Sequence, residues 1–105
     1  MLIAYYVLRS IVQRMKDIGV LVMVALSDGP KHGYAIQTDI ESFAGLQLGP
    51  GTLYGAIGRL EREGSIVATA SDDRRRPYAL TADGRSKLAE SLALFRRVTR
   101  RAVMT

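Results

Sequence analysis

Apolar side chains return every three or four positions along most of this chain, and the breaks fall where helices stop. In "LIAYYVLRSIVQRMK", Ile3, Val7, Ile11 and Met15 are spaced four apart, with Arg9, Gln13 and Lys16 on other faces. That spacing predicts an amphipathic helix. Asp17 is placed to cap a second helix through "IGVLVMVAL", residues 18–26, which ends at the breaker cluster Ser27, Asp28, Gly29 and Pro30. This run is apolar on every side, so its period does not separate buried helix from buried strand; its length and cap favour helix. "HGYAIQTDIESFAG" then predicts a short helix over residues 34–44, halted near Gly45, and "LQL" alternates as a brief strand does.

The stretch "LGPGTLYGAIGRLEREGSI", residues 48–66, combines five glycines with Leu53, Ile57 and Leu60 at helical spacing. Pro50 suits a first helical turn and Gly64 a C-terminal cap, so a helix over about 50–63 fits the punctuation. Gly55 and Gly58 remain inside it, each costing about 1 kcal/mol relative to alanine. Beyond it, "SIVATA" and "RPYALT" flank "SDDRR" and predict a hairpin. Thr81 or Asp83 opens a last helix in which Leu88, Leu92, Phe95, Thr99 and Ala102 step by three and four.

This order predicts one mostly α domain with a small β-hairpin, residues 1–105. It divides into an N-terminal helix (1–16), a winged helix-turn-helix (17–81) and a C-terminal dimerisation helix (82–105). In such a domain the second helix of the pair enters the DNA major groove. Leu53, Ile57 and Leu60 then face the core, and Gly51, Thr52, Gly55, Gly58, Arg59 and Arg62 face outward. Thr52 and Tyr54 offer hydroxyls to phosphate or bases. Arg74, Arg75 and Arg76 at the hairpin tip are placed for phosphate or the minor groove.

Charge sharpens the picture. Net charge is +5; residues 1–64 balance at six basic and six acidic side chains, whereas residues 65–105 carry nine basic against four acidic. An anionic partner, most often nucleic acid, suits that polarity, as does a solvated basic surface. With no cysteine and one histidine, thiolate and multi-histidine metal sites are excluded, no convergent catalytic set is visible, and no cofactor or enzymatic activity is expected. The longest apolar run, nine residues, is far short of the roughly 20 a membrane span needs, so neither signal peptide nor membrane segment is expected, and the cytoplasm is the expected location.

"GPKHGYAIQTDIE", "PGTLYGAIGRLEREGSI" and "RRRPYALTADGR", in that order, resemble the PadR family of transcriptional regulators over about residues 18–88. The resemblance implies a winged-helix homodimer that represses by binding a palindromic operator, and the chain resembles the short subtype with one C-terminal helix. His32, Gly33 and Tyr34 open the supporting helix in that pattern, with Tyr34 a phosphate contact, and Arg74 to Arg76 with Tyr78 match the wing. Where the family usually has serine before Pro-Gly-Thr, this chain has Gly49, a slightly weaker cap. A polar or basic side chain often found at the position of Gly58 is missing. Leu88, Leu92 and Phe95 are expected to pack across the two-fold axis against Ile3, Val7 and Ile11 of the partner. Arg96, Arg97, Arg100 and Arg101 read as a solvated face, His32 as a turn or capping residue, and Tyr5 and Tyr6 as packing. A small-molecule effector acting on the separation of the two DNA-reading helices is a further expected partner. The alternative reading is a winged-helix protein-interaction module without specific DNA binding.

Overall fold

The computed structural model describes residues 18–70 and 76–103. Six elements follow one another: α1 (Ile18–Ala25), α2 (Gly33–Ala44), α3 (Pro50–Arg62), β1 (Ile66–Ala68), β2 (Tyr78–Leu80) and α4 (Ala82–Val103). The expected N-terminal helix, with Ile3, Val7, Ile11, Tyr5 and Tyr6, the cap Asp17, and Asp72, Asp73, Arg74 and Arg75 of the hairpin tip lie outside the described residues.

α1 is helical and packs against α2, α3 and α4. Its all-round apolarity follows from that position, because Leu21, Val22, Met23 and Ala25 are all buried. α2 adds Ile36 and Ile40 to the same core, and α3 adds Leu53, Ala56, Ile57 and Leu60. Full burial of each large aliphatic side chain contributes about 1.5–3 kcal/mol, so three such residues on one face of α3 outweigh its interior glycines. α2 ends at Gly45, whose left-handed φ of 67° lets its N–H reach the Glu41 carbonyl at 3.0 Å. α3 ends in a Schellman motif around Gly64 at φ 75°: Ser65 N donates to Leu60 O at 2.9 Å and Gly64 N to Glu61 O at 3.0 Å.

Residues 46–48 form no strand, contrary to the alternation of "LQL". The Leu48 carbonyl accepts a bond from Gln37 Nε2 at 2.9 Å, which ties the α2–α3 connection to α2 instead. The hairpin pairs Ile66 with Leu80, Val67 with Ala79 and Ala68 with Tyr78 in antiparallel register. Its free edge is taken by Lys31, which exchanges backbone bonds with Tyr78 at 3.0 and 2.9 Å. The third strand-like partner of the hairpin is thus a single residue of the α1–α2 connection.

Thr81 joins three elements. Its hydroxyl accepts the Gly84 N–H at 3.0 Å as the N-cap of α4 and donates to the Gly64 carbonyl at 2.6 Å, while its own N–H donates to Ser65 O at 3.1 Å. Gly84 lies against the same turn. A β-carbon there would collide with the Ser65 carbonyl oxygen and sit 2.9 Å from its carbon and 3.2 Å from Leu80 Cδ2. Only Gly84 and Leu88 of α4 are buried, and Leu92 is partly buried against the core. Gly84→Ala is therefore expected to lower stability by about 1–3 kcal/mol, the usual cost of overpacking, in urea unfolding followed by circular dichroism. An unchanged midpoint would show that the start of α4 shifts away without cost.

Candidate nucleic-acid interface

α2 and α3 start on the same side of the domain with their first turns uncapped by side chains. His32 and Gly49 both hold extended cap conformations, at φ −70°, ψ 159° and φ −66°, ψ 150°, and neither makes a side-chain cap bond. Pro50 has no N–H, so the donors open at the start of α3 are the backbone N–H groups of Gly51 and Thr52. The positive end of the helix dipole lies at the same place. From Gly45 to Gly58 the chain carries no charged side chain, so nothing there opposes an anion.

The expected face of α3 is formed as predicted in its exposure. Gly51, Thr52, Gly55, Arg59 and Arg62 are exposed while Leu53, Ile57 and Leu60 are buried. Gly58 is half-covered, with Arg62 Nη1 lying 3.3 Å from where its β-carbon would be. A β-carbon at Gly51 or Gly55 would meet nothing within 4 Å. Among the described residues nothing therefore requires glycine at either position. Tyr34, in the first turn of α2, is 76% exposed, and Arg76 is exposed at the entrance to β2.

Tyr54 is half-exposed, and the tip of its ring rests on Gly33. A β-carbon at Gly33 would overlap the Tyr54 hydroxyl and lie 2.8 Å from Cζ and 2.9 Å from Cε1. A larger residue in this first turn of α2 would have to displace that ring. Tyr78, on β2, has its phenol pushed above the ordinary tyrosine range by burial, then by the charge of Glu61 and by Tyr54.

Lys31 is the residue that pattern reading missed. Its ammonium bonds the Ala25 carbonyl at the end of α1 and the Asp28 carboxylate, and lies 3.4 Å from Asp39 Oδ2 on α2. The same residue's backbone forms the edge of the hairpin. Burial opposes the lysine's charge, but the hydrogen bonds to Asp28 and Asp39 prevail and hold its pKa above the ordinary value. The hydrogen bond from Lys31 holds the Asp28 carboxyl below its ordinary value. One local signal existed, the i,i+3 spacing of Asp28 and Lys31. The ion pairs Arg59–Glu63 at 3.9 Å and Lys87–Asp83 at 3.1 Å are exposed helix-surface pairs of little weight. His32 stands at the N-cap position, but its side chain does not cap; Nδ1 is buried without a hydrogen-bond partner. Among the described residues no cluster suited to a metal ion occurs, and no helix is long and apolar enough to cross a membrane.

On the C-terminal helix, Leu88 is 5% exposed within the protomer's own core. It is therefore not available to a partner, which leaves Leu92 and Phe95 of the expected seam, both partly exposed.

The model of the transcriptional regulator PadR-like family matches residues 21–90. A 37.1 kDa protein of transposon TN4556 from Streptomyces fradiae is 48% identical over 75 residues, which cover 71% of this chain. The chain spans only 22% of that relative's length. Among solved structures, a PadR family transcription regulator from Clostridium difficile superposes with a TM-score of 0.73 at 25% identity, covering 79% of this chain and 91% of that one. The fold is also that of Bacillus subtilis PadR, solved in complex with operator DNA. There the TM-score is 0.61 at 22% identity, over 70% of this chain and 45% of that one.

The Lys31 cluster has a definite pH signature. Asp28 titrates below its unfolded value, so its contribution to stability is complete above about pH 4 and is lost as pH falls through the lower folded value. Lys31 titrates above its unfolded value, so its contribution is complete below about pH 10 and is lost as pH rises through the raised one. Lys31→Met should therefore lower the urea midpoint by a constant amount between those limits, with the difference shrinking on either side. A difference that does not shrink below about pH 4 would assign the effect to packing of the lysine stem.

Proposed function

The chain belongs to the PadR-like family of transcriptional regulators, and on that premise we propose that it is a sequence-specific repressor that binds a palindromic DNA operator as a homodimer. The observation that carries this reading is the start of α3. It is uncharged, uncapped and free of side-chain bulk at Gly51 and Gly55 on its exposed face, over a core face held by Leu53, Ile57 and Leu60. A helix of that kind can bring its backbone N–H groups close to phosphate while its first turns enter the major groove. The operator DNA bound by the Bacillus subtilis relative supports the same partner here.

In this reading Gly51 and Thr52 meet the sugar–phosphate backbone and base edges, Gly55 lets the helix approach closely, and Arg59 and Tyr34 contact phosphates on either side. Tyr54 borders this face. Arg74, Arg75 and Arg76 reach phosphate or the minor groove from the wing. Leu92 and Phe95 of α4, together with Ile3, Val7 and Ile11 of the other protomer, form the dimer seam. The two α3 helices then stand about 34 Å apart, one turn of DNA. An effector that changes that separation changes operator affinity, and occupancy of a promoter by the dimer blocks transcription.

Selection of bound sequences from random duplex DNA tests the reading. A single symmetric site with half-sites about 10 base pairs apart is expected. Recovery of no preferred sequence would overturn it in favour of a protein-interaction module. Alanine at Arg74, Arg75 and Arg76 together should weaken binding to all duplexes and flatten the salt dependence, by close to one unit of slope for each phosphate that is no longer neutralised. Gly55→Ala should stabilise the domain by about 1 kcal/mol yet weaken operator binding. A more stable variant with full affinity would remove close approach as the reason for glycine.

A further inference from the structure

Three elements that together define the DNA-facing surface meet at one point. Gly33 is the first residue of α2, Tyr54 lies in the second turn of α3, and Tyr78 begins β2. The ring tip of Tyr54 lies over Gly33, and a β-carbon placed there would displace it. Two residues before Gly33, Lys31 is locked to Tyr78 by a pair of backbone bonds of 3.0 and 2.9 Å.

On the core side of the same seam, Ile36, Ile40, Leu53 and Ile57 hold α2 and α3 together through apolar packing. Such packing resists separation and is non-directional, so a directional contact at the outer edge of the seam adds to what sets the angle of α3. A rigid aromatic ring seated on backbone supplies that contact. Groups that read bases must be held to within about 0.5 Å, and a turn of a few degrees moves a side chain on the exposed face by more than that.

We propose that Tyr54 is a positioning residue for operator discrimination: its ring, seated on Gly33, fixes the angle of α3 relative to α2 and the hairpin, and so decides which base edges the α3 face meets. This rests on the DNA-binding reading above. It gives Tyr54 a different part from Thr52 and Gly51, which touch the nucleic acid. It also gives Gly33 a reason beyond helix initiation, as the seat for the ring.

The test compares full-length wild type, Tyr54→Ala, Tyr54→Phe and Gly33→Ala on two duplexes, the selected operator and a scrambled sequence of equal length, across a salt series. Tyr54→Ala and Gly33→Ala should lower the ratio of operator to scrambled affinity about tenfold, comparable to one mismatched base pair, with the scrambled-duplex affinity and its salt slope unchanged. Tyr54→Phe, which keeps the ring, should restore most of the discrimination that Tyr54→Ala removes. A merely structural role would weaken both duplexes together as the folded fraction falls. Tyr54→Leu replaces Tyr54→Ala if the alanine variant does not fold at the assay temperature.

The proposal is overturned if Tyr54→Phe loses as much as Tyr54→Ala. It is equally overturned if removing the hydroxyl lowers the salt slope, since either result makes that hydroxyl a DNA contact. It also falls if Tyr54→Ala and Gly33→Ala discriminate as wild type does. A wild-type protein with no preference between any duplexes would instead overturn the DNA-binding reading itself.

Discussion

The two backbone hydrogen bonds between Lys31 and Tyr78 hold the architecture to a single geometry. Without them the hairpin is a two-stranded ribbon, which is marginal by itself in water, joined to the helices only at its root. With them, the residue that leads into α2 is also the edge of the sheet. The wing and the helix pair then move as one body. The lysine side chain extends the same junction, reaching the end of α1 and, through Asp39, the body of α2. Its carboxylate neighbours are partly solvated, so the junction's strength comes from the number of elements joined at one residue rather than from any single ion pair.

α3 shows how the demands of folding and of surface chemistry divide around one cylinder. The buried face is conventional aliphatic packing. On the opposite face the chain carries glycine where the space is open, and a helix built for stability alone would carry alanine there. Gly64 and Gly84 are different in kind: one is required by a left-handed backbone and the other by a close approach to backbone. The open glycines at Gly51 and Gly55 have no such cause among the described residues. Their explanation has to come from whatever lies against that face.

The helices were legible from the sequence because their ends carry local chemistry. Pro50, Gly45, Gly64 and Thr81 each act on the turn in which they occur, and the structure uses the last three as caps. The buried face of α3 was legible because its period is strong. What pattern could not supply was pairing at a distance. A one-residue bridge between Lys31 and Tyr78 has no alternation to detect, while "LQL" has alternation without a free strand edge to join. Leu88 shows a second limit. One apolar stripe runs along α4, and its period is the same whether a residue packs into its own domain or against another surface. Tyr54 shows a third, since nothing in the period of α3 reveals that its ring lies over Gly33.

Gly84 has a consequence that reaches the far end of α4. A helix turns about 100° with each residue, at 3.6 residues per turn, so the point at which its backbone touches the Ser65 carbonyl sets its rotational phase over its whole length. Moving that touching point to the next residue would swing Leu92 and Phe95 by more than a quarter of a revolution. A single missing side chain at the root of the helix is thus the angular reference for every surface that the helix carries outward.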